Sequence, residues 1–462
     1  MLLDGEADRA AETFAELSRE QPDDVVAQEG RVRALLAGQR WREALTESAA
    51  HFEASPGRPR IRTTRGEALF RAGRFAEAES VLQEIDKLEA PPGRGLMTLG
   101  RLREAQGRSG EAVALMTAAI EAAPGDRDVL YWASGSSSSR AEARELLQAY
   151  LELSAGDDPD RIEAARGSIK FYDELGESPI WLTANRPERL ELPLEPIWDP
   201  YGGQVLGYLI RVQLGSKKKP VPLLLDSGSP GLFVIERIAR KRGFEPIVEK
   251  TVFGGGGDQR HRTKRGFFSS VAFGELSFTS ALATTSKAEM DPTGRYHGLI
   301  GLSVFNGYRV TLDFRRKLLV LESDGEPTGS ASPYWTVLGQ FVVQVELGSD
   351  GSGLFLLDSG ATRTMVAGDW AERLAGAQLG RPVRVQGFGG GMQGARSLDG
   401  VAVSFQGQHS SRTGLRTVDL AVRSRLAGVE IAGFLGLDFL GRHRVVVDTT
   451  RRTVRLLPSA AD

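Results

Sequence analysis

At 462 residues the chain is long enough for about three domains of ordinary size. Its formal net charge of −2, with 41% apolar and 26% charged residues, is typical of a soluble globular protein and does not suggest a nucleic-acid binder. The chain contains no cysteine, which excludes disulfides, thiol catalysis and thiolate zinc sites, and no apolar run is long enough to predict a membrane span.

The first third of the chain repeats with a period of 34 residues. Small residues keep this spacing and prolines nearly keep it, at Ala10, Ala44, Ala78 and Ala112 and at Pro22, Pro56, Pro91 and Pro124. Alanine within the unit and proline at its end resemble tetratricopeptide repeats, in which helix pairs stack on one another. We therefore predict an all-α helical-repeat solenoid over residues 1–176, with a possible protein partner bound to it. A plain helical bundle is the alternative, but it gives no reason for the period.

The flanks of this array are less regular. A loop is predicted over Trp132–Ser139, followed by helices over Arg140–Ser154 and Pro159–Leu175, of which the second would cap the array. Residues 177–196 are predicted to be an extended linker that becomes the first strand. The start lacks the basic and apolar regions of a signal peptide, so the chain as written is expected to be cytoplasmic. The repeat register places Met1 within a helix; if the true start lies upstream, a periplasmic or secreted protein is expected.

From residue 197 the pattern changes to strand-like alternation, and one unit occurs twice, over residues 197–325 and 333–462. In each copy an apolar run leads into Asp-Ser-Gly, first at Asp226 and then at Asp358, 132 residues later. An apolar-apolar-Gly segment follows in both copies, with Gly301 and Gly436 offset by 135 residues. A single Asp-Ser-Gly is also the sequence of an ordinary turn. The duplication, however, predicts two aspartates on matching turns.

Two facing carboxyl groups can share one proton and hold a water between a base and an acid, an arrangement that hydrolyses amides. The order of segments resembles the pepsin-like and retropepsin-like aspartic proteases over about residues 190 to 460, so an all-β bilobal acid-protease fold is expected. By this resemblance the catalytic residues are Asp226 and Asp358. Residues that would support the dyad follow each of them: Ser227, Gly228, Ser229, Ser359, Gly360 and Ala361.

The resemblance also implies flaps and supporting loops. The flaps that would close over a peptide are glycine-rich hairpins containing Phe253, Gly254, Gly255, Gly256, Gly387, Phe388, Gly389 and Gly390. The loops that would support the aspartates contain Leu299, Ile300, Gly301, Phe434, Leu435 and Gly436. Two glycine flaps in one chain depart from pepsin, which has one.

The leading hypothesis is thus an aspartic endopeptidase that acts on a polypeptide substrate, with the helical array recruiting substrate or partner. A non-catalytic peptide-binding protein that keeps the protease fold is the alternative. No cofactor or metal is expected, because the histidines lack metal-ligand spacing and the glycine-rich segments lack the residues of a phosphate loop. Ser229 can donate a hydrogen bond to a carboxylate three residues earlier and Ala361 cannot, so Asp226 is expected to be the more readily ionised aspartate.

Overall fold

The computed structural model describes residues 6–201, 203–253, 260–288, 291, 293–323, 330–348, 351–387, 390–392 and 394–458. Its contacts divide the chain into two units. The helical unit comprises Met1–Glu177 together with Ser424–Glu430, and the β unit comprises Ser178–Arg423 together with Ile431–Asp462. Residues 424–430, expected in the second β lobe, therefore belong to the helical unit.

The helical unit is a succession of helices that pack against their neighbours in the sequence. Its helices are α1 (Ala7–Glu20), α2 (Val25–Ala37), α3 (Trp41–Ala54), α4 (Pro59–Arg71), α5 (Phe75–Leu82), α6 (Gly93–Ala105), α7 (Ser109–Ala122), α8 (Arg127–Ser134), α9 (Arg140–Glu152) and α10 (Pro159–Leu175). The periodic alanines are fully buried where neighbouring helices meet. Gly66 of α4 leaves room for Leu82 of α5, since an added β-carbon would lie 2.4 Å from Leu82 Cγ.

Local sequence signals explain where several of these helices begin. The side chains of Asp126, Ser139 and Asp158 accept hydrogen bonds from backbone amides in the first turns of α8, α9 and α10. Pro159 occupies the first turn of α10, where its missing N–H costs nothing. The loop predicted from Trp132 is wrong at its start, because α8 continues to Ser134 and Leu130 and Ala133 are buried against neighbouring helices.

A network of buried ion pairs connects helices α4, α6, α8 and α10. Arg94 of α6 lies 3.6 Å from Glu67 of α4, 2.6 Å from Asp126 and 2.8 Å from Asp128 of α8, and Asp128 lies 2.8 Å from Arg161 of α10. Burial alone would raise the pKa of Glu67 and Asp128, yet the guanidinium groups hold the pKa of Glu67 below and that of Asp128 well below its ordinary value. These carboxylates are therefore ionised and paired at neutral pH.

The β unit begins with strands β1 (Leu182–Asn185), β2 (Arg189–Pro193), β3 (Glu195–Trp198), β4 (Val205–Leu214), β5 (Val221–Leu225), β6 (Leu232–Ile235), β7 (Glu245–Phe253), β8 (Arg260–Phe273), β9 (Leu276–Ser286), β10 (Gly298–Ile300), β11 (Arg309–Asp313) and β12 (Leu318–Glu322), with helix α11 (Glu236–Lys241). It continues with β13 (Ser332–Pro333), β14 (Trp335–Val337), β15 (Gln340–Leu347), β16 (Ser352–Leu357), β17 (Met365–Ala367), β18 (Gln378–Pro382), β19 (Val385–Gly387), β20 (Gly390–Met392), β21 (Arg396–Asp399), β22 (Val403–Phe405), β23 (Gln408–His409), β24 (Leu415–Val418), β25 (Gly433–Leu435), β26 (His443–Asp448) and β27 (Thr453–Pro458). Helices α12 (Gly368–Ala371), α13 (Ala421–Ala427) and α14 (Leu437–Leu440) are short.

Two large sheets repeat one plan. In the first, β10 runs parallel to β5 and antiparallel to β6; in the second, β25 runs parallel to β16 and antiparallel to β17. A third sheet, ordered β13-β27-β26-β11-β12-β2, joins the two copies because β11 pairs with β26. The duplicated sequence thus folds into a duplicated topology.

The predicted fold class is confirmed at this level: a helical region is followed by a β-rich region built on two large sheets. Residues 177–196 are not a free connector, since β1 pairs with β9 and β2 pairs with β12. Among the helices of the described residues, none is both long and apolar enough to cross a membrane.

Candidate active site

The two Asp-Ser-Gly turns lie where β5 and β16 end. Both strands are apolar and mostly buried, so each delivers its aspartate from the core to a partly exposed turn. The backbone N–H of Asp226 donates to Ile300 O at 2.9 Å, and that of Asp358 donates to Leu435 O at 3.0 Å. The two sequence copies therefore fix their aspartates by the same contact.

The serine hydroxyls join the two turns by reciprocal hydrogen bonds. Ser227 Oγ donates to Leu357 O and accepts from the Ser359 amide, both at 2.8 Å. Ser359 Oγ donates to Leu225 O at 2.8 Å and accepts from the Ser227 amide at 3.1 Å. Since both serines are buried, these four bonds satisfy backbone groups that water does not reach.

The glycines after the serines allow the turns to approach each other. An added β-carbon at Gly228 would lie 2.7 Å from Cγ of Asp358, and one at Gly360 would lie 2.5 Å from Cγ of Asp226. Either distance is below van der Waals contact, so any side chain there would displace the opposite carboxyl group. The two aspartates are thus brought together, each beside the glycine of the other turn.

The carboxyl groups of Asp226 and Asp358 each lie beside the glycine of the opposite turn, and their surroundings are unequal. Burial raises the pKa of Asp226 well above its ordinary value, and the neighbouring Asp358 raises it further. Burial also raises the pKa of Asp358, but the backbone amides of Ala361 and Gly360 oppose that rise. They donate to Asp358 Oδ1 at 2.9 and 3.0 Å. The geometry therefore favours a single proton on Asp226 and an anionic Asp358.

The surroundings of the two carboxyls do not support the expectation that Ser229 makes Asp226 the more readily ionised aspartate, because burial and Asp358 raise the pKa of Asp226 well above its ordinary value. Ser229 is buried, and its backbone amide donates to the carbonyl oxygen of Asp226 at 2.9 Å. In the second copy the amide of Ala361 reaches the carboxylate itself. One backbone amide, that of Gly228, opposes the rise in the pKa of Asp226, whereas two, those of Ala361 and Gly360, oppose it at Asp358.

The segments predicted to support the aspartates form the short strands β10 and β25. Leu299 and Ile300 form β10, and Phe434 and Leu435 form β25, each beside the strand that leads into an aspartate. Gly301 comes so close to the first turn that an added β-carbon would lie 2.0 Å from Ser229 O. An added β-carbon at Gly436 would lie 2.4 Å from the carbonyl carbon of Arg363.

The predicted flaps fall on hairpins. Strands β7 and β8 pair up to Phe253 and Arg260, and β19 and β20 pair through Gly387 and Gly390. Gly254, Gly255, Gly256, Phe388 and Gly389 lie outside the described residues. The stems of both hairpins are therefore in place on either copy.

A buried cation lies beside the dyad, and no motif in the sequence indicated it. Arg423 of α13 donates to Gln340 Oε1 at 2.7 Å, and the Gln340 amide donates to Gly228 O. The Arg423 guanidinium also lies 5.6 Å from the ring centroid of Phe434 and lowers the pKa of both aspartates. The residue 135 positions before Arg423 is Ala288, so a search for repeated motifs does not find this arginine.

Tyr296 is a second residue near the dyad that the sequence analysis did not select. It packs against Leu209 and Leu224 beside the first turn. Burial raises the pKa of Tyr296 to about 12, with smaller contributions from Asp291 and Asp226. Its hydroxyl is therefore protonated at neutral pH.

No family model and no curated protein sequence matches this chain. Among solved structures, the chain is similar to the crystal structure of an aspartic proteinase from Irpex lacteus, with 14% sequence identity and a TM-score of 0.35. The similarity covers 59% of this chain and 98% of that one.

Proposed function

We propose that the β unit is an aspartic endopeptidase. The observation that carries the proposal is the pair of carboxyl groups on matching turns, which reciprocal serine hydrogen bonds join and whose surroundings favour one proton between them. Such a pair provides an acid and a base at the same place, which is what attack of water on an amide requires.

In the proposed reaction Asp358 is the base and Asp226 the acid. Asp358 takes a proton from water as the water oxygen bonds to the peptide carbonyl carbon, and the Asp226 proton goes to the carbonyl oxygen. The resulting gem-diol collapses when Asp358 gives its proton to the leaving nitrogen and a diol hydroxyl returns a proton to Asp226. A carboxylic acid and an amine leave, and the dyad again holds one proton.

The hairpins β7–β8 and β19–β20 would hold the substrate. An extended peptide pairs readily with exposed backbone, and glycine-rich tips let that backbone approach closely. In the same proposal the helical unit recruits a polypeptide substrate or a protein partner, as stacked helix pairs commonly do.

Digestion of a peptide library tests the hydrolase. Asp226→Asn and Asp358→Asn should each lower cleavage by roughly 10²-fold or more, because the amide keeps the shape and loses the proton transfer. Asp369→Asn, which changes an exposed aspartate of the same unit, should leave cleavage unchanged. An inhibitor of the pepstatin type should abolish it. Equal cleavage by either dyad variant would contradict the assignment.

The same variants report on stability. Because the folded-state pKa of both aspartates is raised, their favourable contribution is present below about pH 4 and is lost as the pH rises through the folded pKa values. The free energy of unfolding of the wild type should fall over that range, and each Asn variant should fall less. A measurable free energy of unfolding shows that each variant is folded, whether or not it cleaves peptides.

A non-catalytic peptide-binding protein is the second candidate, and Arg423 favours it. A cation beside the dyad stabilises the state in which both carboxyls are ionised, which has no acid to give. Mass spectrometry of a peptide library after incubation separates the two candidates. Retained peptides without new termini, across the pH range, would support binding alone.

A further inference from the structure

Residues 424–430 contact the helical unit as a ligand would. Arg425 pairs with Asp158, a residue 267 positions earlier in the sequence. The segment is short and is approached by groups from α4, α6, α8 and the start of α10. Its contacts fall into a charged part and a backbone part.

The charged part is a fork between one arginine and two carboxylates. Arg425 Nη1 donates to Asp158 Oδ1 at 2.6 Å, and Nη2 donates to Asp160 Oδ2 at 2.7 Å. The Asp160 side chain is only 6% exposed. Buried carboxylates need a partner, and a guanidinium that spans two of them provides both charge and direction. This part of the surface therefore selects arginine.

The backbone part consists of hydrogen bonds between the helices and the carbonyl and amide groups of the segment, at a place where only glycine fits. Arg101, stacked 3.5 Å from the Trp132 ring centroid, donates to Ala427 O at 3.0 Å, and the Glu430 amide donates to Arg71 O at 2.7 Å. Gly428 has a φ of +63°, and an added β-carbon would lie 2.6 Å from Trp132 Cζ2. A larger residue would thus be excluded both by its conformation and by the indole ring.

This internal segment leaves hydrogen-bonding capacity unused. Trp132 Nε1 and Asp158 Oδ2 are buried and make no hydrogen bond within the described part of the chain. A peptide that offered an acceptor to the indole N–H, or a further donor to Asp158, would bind better than the internal segment does, since unsatisfied buried groups are costly. The contacts are therefore strong enough to hold residues 424–430 and leave room for a better ligand.

We propose that Ser424–Glu430 is an internal ligand of the helical unit, and that the same surface binds partner polypeptides carrying an arginine followed three positions later by glycine. The partner displaces the internal segment and places its arginine between Asp158 and Asp160. This proposal deepens the recruiting role proposed for the helical unit and is independent of peptide hydrolysis.

The test measures binding of a labelled peptide with the sequence of residues 421–430 to the full chain by fluorescence anisotropy. All proteins carry Asp358→Asn, so that the peptide survives whether or not the wild type is an endopeptidase. Gly428→Ala should weaken the internal segment and so strengthen binding of the peptide roughly tenfold or more, because the surface is open for a larger fraction of the time. Gly414→Ala is the matched control, since Gly414 also has a positive φ but its added β-carbon would meet nothing within 4 Å.

A peptide variant and a protein variant test whether binding depends on the contact between arginine and the two aspartates. A peptide with alanine in place of its second arginine should bind at least about tenfold more weakly, because it loses a charge-assisted fork. Asp160→Asn added to Gly428→Ala should remove the gain. Should Gly428→Ala fail to fold, Arg425→Ala opens the same surface and should give the same gain. No gain in either variant, or equal binding of the peptide that lacks its second arginine, would show that residues 424–430 are a fixed structural tether and overturn the proposal.

Discussion

The guanidinium of Arg423 acts on both carboxyls of the dyad in the same direction. It lowers the pKa of Asp226 and of Asp358 by favouring their anions. The active state holds one proton, so a second proton on Asp358 ends activity at low pH and loss of the proton from Asp226 ends it at high pH. Arg423→Met removes the cation and should move both limits of the pH profile upward by about 1 unit.

Arg381→Met is a suitable control for that experiment, because Arg381 is exposed to solvent. It should leave the pH profile of cleavage in place. An unchanged profile for Arg423→Met as well would show that the buried guanidinium has no effect on the titration of the pair.

The hydroxyl of Ser227 should contribute to the stability of the folded protein. Ser227→Ala leaves the Ser359 amide and Leu357 O without their buried partner, which should cost about 2–4 kcal/mol of the free energy of unfolding. Ser227→Thr keeps the hydroxyl and should retain most of the stability and activity. Urea unfolding of the three proteins measures this. An alanine variant as stable as the threonine variant would contradict the role of the hydroxyl.

The duplicated motif could be predicted because the repeat is visible in the sequence itself. The proton asymmetry between Asp226 and Asp358 could not, since it depends on which backbone amides point at a carboxylate. Arg423 could not either, because its approach to the dyad depends on how residues far apart in sequence fold together.

Among the elements, α4, α6, α8 and α10 are joined by the ion pairs around Arg94. Arg94→Leu leaves Glu67, Asp126 and Asp128 without this cation, and removing one partner of such buried pairs costs about 3–5 kcal/mol at neutral pH. Far-UV circular dichroism during urea unfolding should show this loss in the helical signal. Arg108→Leu, which removes an exposed pair with Glu111, should cost about 1 kcal/mol or less.

The destabilisation caused by Arg94→Leu should depend on pH. The folded-state pKa of Glu67 and of Asp128 is lowered, so their contribution is present above about pH 4.5 and is lost as the pH falls through the folded values. The difference between the wild type and Arg94→Leu should therefore shrink in acid. A difference that is constant with pH would contradict the pairing of these carboxylates.

Helices and strands with a strong period were predictable, because the alanine spacing and the duplicated strands repeat. The start of the loop after α8 was mispredicted because serines and a glycine are common in loops, whereas burial of Leu130 and Ala133 extends the helix. No local signal marked the assignment of residues 424–430 to the helical unit, since the contacts that place them there are with residues distant in sequence.

Because residues 424–430 belong to the helical unit, removing that unit should expose this segment to proteases. A fragment of the β unit should begin at Ser178, where the unit begins. A later start at Leu190 would remove Arg189, which pairs with Glu322 at the end of β12. In a fragment of residues 178–462 the segment 424–430 has lost Arg101, Trp132 and Asp158. Trypsin should therefore cut after Arg425 much faster in the fragment than in the full chain.

Cleavage after Arg412, an exposed arginine of the same unit, provides the reference rate in both proteins. Near-UV circular dichroism verifies that the fragment keeps its tertiary packing. If Arg425 is equally resistant in the fragment and the full chain, the β unit holds this segment without help from the helical unit.

The late position of residues 424–430 in the chain also bears on biosynthesis. Asp158 leaves the ribosome 267 residues before Arg425, which at about 5–20 residues per second is a delay on the order of 10–50 s. The helical unit can form its own helix pairs early, because their contacts are local. During that interval its surface for residues 424–430 is empty, so a nascent chain offers this surface to other polypeptides before its own segment is made.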